Sequence, residues 1–180
     1  MTVQIDVQAA RRHRNWSKGE IIRRMLWAIA RPAFRYSPRP LWGWRNWLLR
    51  VFGAQVGDGV RVHPTVRVTM PCHLQLGQDC AVGDGVILYA LGRIHIGERA
   101  TVSQGAHLCA GTHDMTDPAR PVLRLPVTIG TDAWVCADAF VGPGVSIGKR
   151  AVLGARAVAM RDLPDDHLGV GNPMSLRPRT

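Results

Sequence analysis

The chain has 180 residues and a mass of 19.8 kDa, which fits one domain, and its 46% hydrophobic fraction supplies a real core. Its 19 Gly and 12 Pro are too few for a collagen and act as punctuation in an otherwise apolar chain. The net charge of +10 is uneven: residues 1–50 hold 11 Lys or Arg against Asp6 and Glu20, giving +9, whereas residues 51–180 hold 12 against 11 acids, giving +1.

The basic segment also carries Trp16, Trp27, Trp42, Trp44 and Trp47, five of the six tryptophans. Basic plus aromatic composition points to an anionic surface such as lipid headgroups, or to tryptophans packed on the rest of the chain beneath solvated arginines. No recognition motif for nucleic acid accompanies the charge, so no nucleic-acid partner is expected. The start of the chain lacks a secretory pattern, and the apolar run at 25–30 is too short to span a bilayer. The expected location is cytoplasmic, with peripheral contact at the inner face of the membrane through the arm. Ser17 and Glu20 form a capping-box pair that opens a helix over 18–30, closed by Pro32, with Ile21, Ile22, Met25, Leu26 and Ile29 as its apolar stripe. A turn at Ser37-Pro38-Arg39-Pro40 precedes a second helix over 42–52, ended by Gly53.

Beyond residue 53 the pattern changes. Residues 129–158 read as five hexads beginning at Ile129, Val135, Val141, Ile147 and Leu153. The second position is Gly in four of them and Cys136 in the fifth, and the fifth position is Ala or Val. A period of six fits neither helix nor simple strand; it fits short strands and turns stacked as a solenoid. With three hexads per coil, residues 18 apart stack, which places Ile129 over Ile147 and Val135 over Leu153. Earlier hexads begin at Val56, Val62, Leu76, Val82, Ile96 and Val102, with a slip at 69–74. The repeat breaks at 111–127, which contains Pro118, Pro121 and Pro126, and periodicity is lost again from Asp162. Three segments are therefore expected: a basic Trp-rich helical arm (1–53), a repeat domain (54–161) and a tail (162–180). The four cysteines, Cys72, Cys80, Cys109 and Cys136, show no CxxC spacing and read as buried free thiols.

The broken repeat opens with Gly111-Thr112-His113-Asp114. A histidine where a loop leaves a rigid scaffold is a candidate general base, because imidazole titrates near neutral pH. Asp114 and Asp117 are close enough in sequence to orient it. Alone, the same residue reads equally as a capping or surface histidine.

Further phrases give His113 a context: Ser103-Gln104, Ala137-Asp138-Ala139-Phe140, Val152-Leu153-Gly154-Ala155-Arg156, Asp162-Leu163-Pro164 and Gly171-Asn172-Pro173. With the hexads and the Trp-rich arm, they resemble the hexapeptide-repeat acetyltransferases of the colanic acid and exopolysaccharide branch, over nearly the whole chain. The resemblance implies an all-β fold: a left-handed parallel β-helix with a helical N-terminal arm and a loop extruded at about 111–127. It implies transfer of acetyl from acetyl-CoA, without a metal, to a hydroxyl of a sugar or lipid-linked glycan in surface polysaccharide synthesis. It also implies a homotrimer with active sites between subunits. On this resemblance His113 is catalytic, with Asp114, Asp117 and Tyr89 as orienting or acceptor contacts. Trp134, Ala137, Gly154, Ala155, Arg156 and Asn172 then fall along the acyl-donor cleft. The chain departs from the family at Ile87 and Ala90, where relatives carry Asp and Asn, at His73, and at Met174-Ser175-Leu176. Rival readings are an acetyltransferase for a free sugar or serine, a trimeric scaffold without activity, and a hexapeptide-fold carbonic anhydrase using His73, His107 and His113.

Overall fold

The computed structural model describes residues 6–178. Three parallel sheets wind around one aliphatic core. Face A stacks Gln55–Val56, Leu74–Leu76, Ile94–Ile96, Val127–Ile129 and Ser146–Ile147. Face B stacks Arg61–Val62, Ala81–Val82, Thr101–Val102, Trp134–Val135, Val152–Leu153 and His167–Val170. Face C stacks Arg67–Val68, Ile87–Tyr89, His107–Cys109, Phe140–Val141 and Val158–Ala159. Strand alternation sends one side chain inward and its neighbour outward. The inward residues line up as columns, such as Val62, Val82, Val102, Val135 and Leu153, all buried.

The expected register holds: Ile129 pairs with Ile147 and Val135 with Leu153. Earlier coils are longer. Val62 pairs with Val82 and Val82 with Val102, a 20-residue step. The final step is shorter than a coil of three hexads: Leu153 pairs with Gly169. The chain after Asp162 thus still adds to the stack, through a bridge of Leu163 to Ile147 and the strand His167–Val170, although no hexad marks it.

All this variation falls on one corner. From Val56 to Val158 the A–B and B–C corners take four residues in every coil. The C–A corner takes residues 69–73, 90–93, 110–126 and 142–145 in successive coils. The A–B corner is tight for a visible reason. A Cβ on Gly97 would sit 2.7 Å from the Thr131 nitrogen, and one on Gly130 would sit 2.7 Å from the Gly148 carbonyl carbon. Cys136 is tolerated at the second hexad position because it lies at the B–C corner, where Ser103 also fits.

Coils exchange hydrogen bonds in both directions: Gly57 N donates up to Leu76 O (2.8 Å) and His63 N to Val82 O (2.9 Å), while Asp79 N donates down to Asp58 O (2.8 Å). The carbonyls of the first coil have no coil beneath them, and a buried carbonyl left unpaired costs about 1–3 kcal/mol. The arm supplies the donors. Its helices are α1 (Val7–Arg12), α2 (Lys18–Arg35) and α3 (Trp42–Val51). From α3, Arg50 donates to Val56 O, Asn46 to Val60 O and Arg45 to Val62 O. From α2, the Trp27 indole donates to Val68 O at 2.8 Å. The expectation of solvated arginines fails at Arg45, which is fully buried. Its guanidinium also donates to Ser37 Oγ, Pro38 O and Arg39 O, and burial lowers its pKa.

The capping box forms as read: Ser17 Oγ accepts from Glu20 N, and Glu20 Oε2 accepts from Ser17 N at 2.8 Å. Two expectations for α2 fail. The helix does not close at Pro32 but runs to Arg35. Proline removes one donor, while Phe34, buried edge-on against Trp27 at 5.9 Å, fixes the turn beyond it. The buried face is Trp27 and Phe34, and the stripe Ile22, Met25, Leu26 and Ile29 stands 52–76% exposed. Among the described residues no helix is long and apolar enough to cross a membrane.

Candidate active site

The chain leaves face C after Cys109 and returns to face A at Val127. Between them, Thr112–His113 and Val122–Leu123 pair as an antiparallel hairpin standing off the C–A corner. His113 is exposed on its outgoing strand. Its Nδ1 lies 2.6 Å from the Arg120 carbonyl. A carbonyl oxygen only accepts, so Nδ1 carries the proton and donates; Nε2 is then the unprotonated nitrogen, open to take a proton.

Neither of the carboxylates expected to orient the ring does so. Asp114 Oδ1 accepts from Thr116 N at 2.8 Å and Thr116 Oγ1 at 2.6 Å, bonds that also hold its pKa below the usual carboxylate range. Asp117 Oδ1 accepts from Ala119 N at 2.7 Å. Both shape the loop's own turns and make no hydrogen bond or ion pair with His113. The physical reason is reach: a carboxylate that closes an Asx turn faces its own backbone.

The loop is clasped by the arm. Asn15 Oδ1 accepts from Val122 N at 3.1 Å, and Pro118 O accepts from Asp6 N at 3.0 Å. Arg124 donates to Asn15 O at 2.7 Å and pairs with Glu20. The Trp16 ring lies between two guanidinium groups, Arg24 at 4.0 Å and Arg124 at 4.8 Å. The hydrogen bond from Arg124 is the largest influence on Glu20 and pulls its pKa down to about 2. Asn15, Trp16, Glu20, Arg120 and Arg124 also belong to this site and carry no sequence signal for it. Their partners lie up to 109 residues away, and Arg120 acts through its backbone, which carries no residue-type signal.

The expected acyl-donor residues form a separate group. Trp134 is half exposed on face B and donates from Nε1 to Ser103 Oγ at 2.8 Å in the coil below. Ala137, Gly154, Ala155 and Arg156 line successive B–C corners, with Arg156 N donating to Ala137 O at 2.9 Å. Arg156 also lies 3.7 Å from Asp138. Asn172 is exposed in the turn between the strands His167–Val170 and Ser175–Pro178. Ala137, Gly154, Ala155 and Arg156 are on the B–C corner, Trp134 is on face B, and His113 is on the C–A corner, so these residues and His113 belong to different edges of one chain. Tyr89 is exposed on face C beside Cys109, with its ring edge toward His107 at 6.3 Å.

The other candidate groups are accounted for locally. His73 Nδ1 meets the Ala90 carbonyl at 2.9 Å. The exception is His107, which packs edge-on against Phe140 at 5.2 Å with its buried Nε2 unpartnered; burial lowers its pKa. Among the described residues no three His, Cys, Asp or Glu side chains gather to hold a metal. All four cysteines are free thiols; burial pushes Cys80 up to about 12 and also raises Cys136, which disfavours the thiolate a nucleophile needs.

No protein-family profile matches the chain. Over 149 residues it is 42% identical to the "Putative colanic acid biosynthesis acetyltransferase WcaF" of Escherichia coli (strain K12), covering 83% of this chain and 82% of that one. Among solved structures, a hexapeptide-repeat acetyltransferase of Vibrio cholerae O1 complexed with acetyl coenzyme A matches with a TM-score of 0.84. That match covers 93% of this chain and 92% of the other at 20% identity. A galactoside acetyltransferase in complex with coenzyme A matches with a TM-score of 0.84, covering 97% and 89% at 20% identity. The two structures share the fold, and the E. coli relative fixes the kinship: the chain belongs to the hexapeptide-repeat acetyltransferases, in the colanic acid biosynthesis branch.

Proposed function

We propose that this protein is an O-acetyltransferase that moves acetyl from acetyl-CoA to a hydroxyl of a sugar or glycan destined for surface polysaccharide, with His113 as the general base. One observation carries the reading: the Arg120 carbonyl holds Nδ1–H, which leaves Nε2 as a basic lone pair on an exposed hairpin. A sugar hydroxyl is a poor nucleophile at neutral pH, and removing its proton as it attacks the thioester lowers the barrier. A positioned base contributes roughly 10²–10⁴-fold. The loop at 111–126 holds no Ser or Cys to pair with His113, which favours direct transfer over a covalent acyl-enzyme. The likeness to coenzyme A complexes supports the donor, and the name of the E. coli relative supports the acceptor class.

The acyl-donor strip comprises Trp134, Ala137, Gly154, Ala155, Arg156 and Asn172. The Trp134 ring, tethered by Ser103, offers a flat wall to a narrow pantetheine chain, and Arg156 offers charge to its phosphates. Because this strip and His113 occupy different corners, we infer a homotrimer in which the hairpin of one subunit meets the strip of the next. We keep Asp114, Asp117 and Tyr89 as proposed acceptor contacts. The exposed stripe of α2, beside the arginines of the arm, supports peripheral attachment to an anionic membrane.

Replacing His113 by Ala should leave fold and coenzyme A affinity intact and lower turnover roughly 10²–10⁴-fold. Acetyl transfer to a sugar acceptor, with coenzyme A release corrected for hydrolysis, measures it. A folded variant retaining more than about a third of the parent rate, against that expected factor, ends the assignment. A light-scattering mass of a single 19.8 kDa chain would end the trimer.

A further inference from the structure

The helix α2 presents three different sides. Trp27 and Phe34 face the solenoid, and Ile22, Met25, Leu26 and Ile29 face outward. Arg24, Arg31 and Arg35, spaced seven and four residues apart, form a third line along the axis. That line faces the first strand of face C across a cleft of about 640 Å³, within the roughly 300–1,000 Å³ range of small-molecule sites. Arg67 comes from the opposite wall: Val68 is buried, so the alternation of the strand turns Arg67 outward into the cleft. Trp27, Tyr36, Thr65 and Thr69 are among the other lining residues, and no Asp or Glu lines it.

Four guanidinium groups in one cleft repel each other, and nothing nearby offsets them fully. Arg24 rests on the Trp16 ring. Among the described residues, the side chains of Arg31, Arg35 and Arg67 make no hydrogen bond or ion pair. Asp84, bonded to Thr65, attracts Arg35, but it is one carboxylate against four guanidinium groups. The forked donors of arginine match phosphate oxygens, and a multiply charged anion would relieve the repulsion.

Position adds to charge. Arg67 lies in register beneath Ile87, and Ile87 beneath His107. The His113 hairpin leaves the strand of His107. Cleft and hairpin root are thus two coils apart, roughly 10 Å along the axis, with exposed Tyr89 between them.

We propose that the cleft between α2 and the first coil binds phosphate or diphosphate, and holds the anionic linker of a lipid-carried acceptor while its sugar reaches the His113 hairpin. The role of the ligand rests on the acetyltransferase reading; the binding of the anion does not.

The test uses the full chain. Inorganic pyrophosphate is titrated by calorimetry into the parent, into an Arg31→Gln/Arg35→Gln/Arg67→Gln variant, and into a charge-matched Arg11→Gln/Arg12→Gln/Arg14→Gln control. Circular dichroism checks that all three fold. Saturable binding is expected in the parent and control, weakened roughly tenfold or more in the cleft variant. Absence of saturable binding, or equal loss in the control, overturns the site. Flotation with phosphatidylcholine vesicles doped with phosphatidic acid separates the sources. Displacement by pyrophosphate supports a lipid headgroup in the cleft. Flotation of the parent and cleft variant to the same extent overturns the lipid linker and leaves a site for free phosphate. Absence of sugar acetylation by the parent, with its pyrophosphate binding intact, would instead count against the acetyltransferase reading.

Discussion

Two corners of this solenoid are closed to change and the third is open. The A–B and B–C corners keep four residues in every full coil, whereas the C–A corner ranges from 142–145 to 110–126. At the A–B corner backbone meets backbone so closely that Gly97 and Gly130 have no space for a Cβ. At the C–A corner the chain can swing outward without disturbing the rungs on either side, and the candidate base stands there. A rigid stack and a variable loop are therefore features of the same coil, separated by a third of a turn.

The comparison breaks most visibly if a closed corner is crowded. Gly130→Ala should destabilise the fold by about 3–5 kcal/mol, since its Cβ meets backbone that cannot move independently. Chemical denaturation measures it, and a loss under about 1 kcal/mol would show that the corner yields. Next is the cap below the stack. Arg45→Met removes the donor to Val62 O and three further bonds, and should cost about 2–4 kcal/mol in the same assay. An unchanged midpoint would mean that water replaces the guanidinium.

The clasp tests the open corner. Arg124→Ala should lower turnover about tenfold while the unfolding midpoint moves little, because loop contacts form late in the hierarchy of local stability. Protease cleavage within 114–121 should quicken; equal cleavage of parent and variant would argue that the loop holds itself. Glu20→Gln isolates the charge. The folded pKa of Glu20 is depressed to about 2 from 4.5, so its stabilisation is complete above about 4.5 and fades as pH falls toward 2. The stability difference between parent and Glu20→Gln should shrink across that window; a constant difference would exclude the ion pair as its source. The smallest effect belongs to Gly144 on the open corner. There a Cβ meets only Leu125 at 3.7 Å, so Gly144→Ala should cost only the strain of its positive φ, about 1–2 kcal/mol. A loss equal to that of Gly130→Ala would erase the distinction between corners.

The sequence made the regular part legible because the constraint there is local. A six-residue period with Ile, Val or Leu inward states both the strand and its register, and Ile129 over Ile147 followed directly. The closing turns beyond Asp162 were not legible, since Leu163 and Gly169 keep the stacking without the spacing. His113 was legible as a residue at the root of a loop, but its orienting partner was not, because Arg120 acts through a carbonyl that any residue has. Arg45 reads as one more surface charge; it is buried among the carbonyls of Pro38, Arg39 and, 17 residues further on, Val62. Pro32 looked like a stop because helix propensity was read without Phe34 anchoring the next turn.

The bare underside of a parallel stack is also a template. Its row of unpaired carbonyls would accept the upper edge of another copy, rung on rung, and nothing in such a head-to-tail contact forces it to close. Trp27, Arg45, Asn46 and Arg50 occupy that row with side chains that cannot propagate the pattern. The helical arm thus occupies the edge along which another copy could otherwise add.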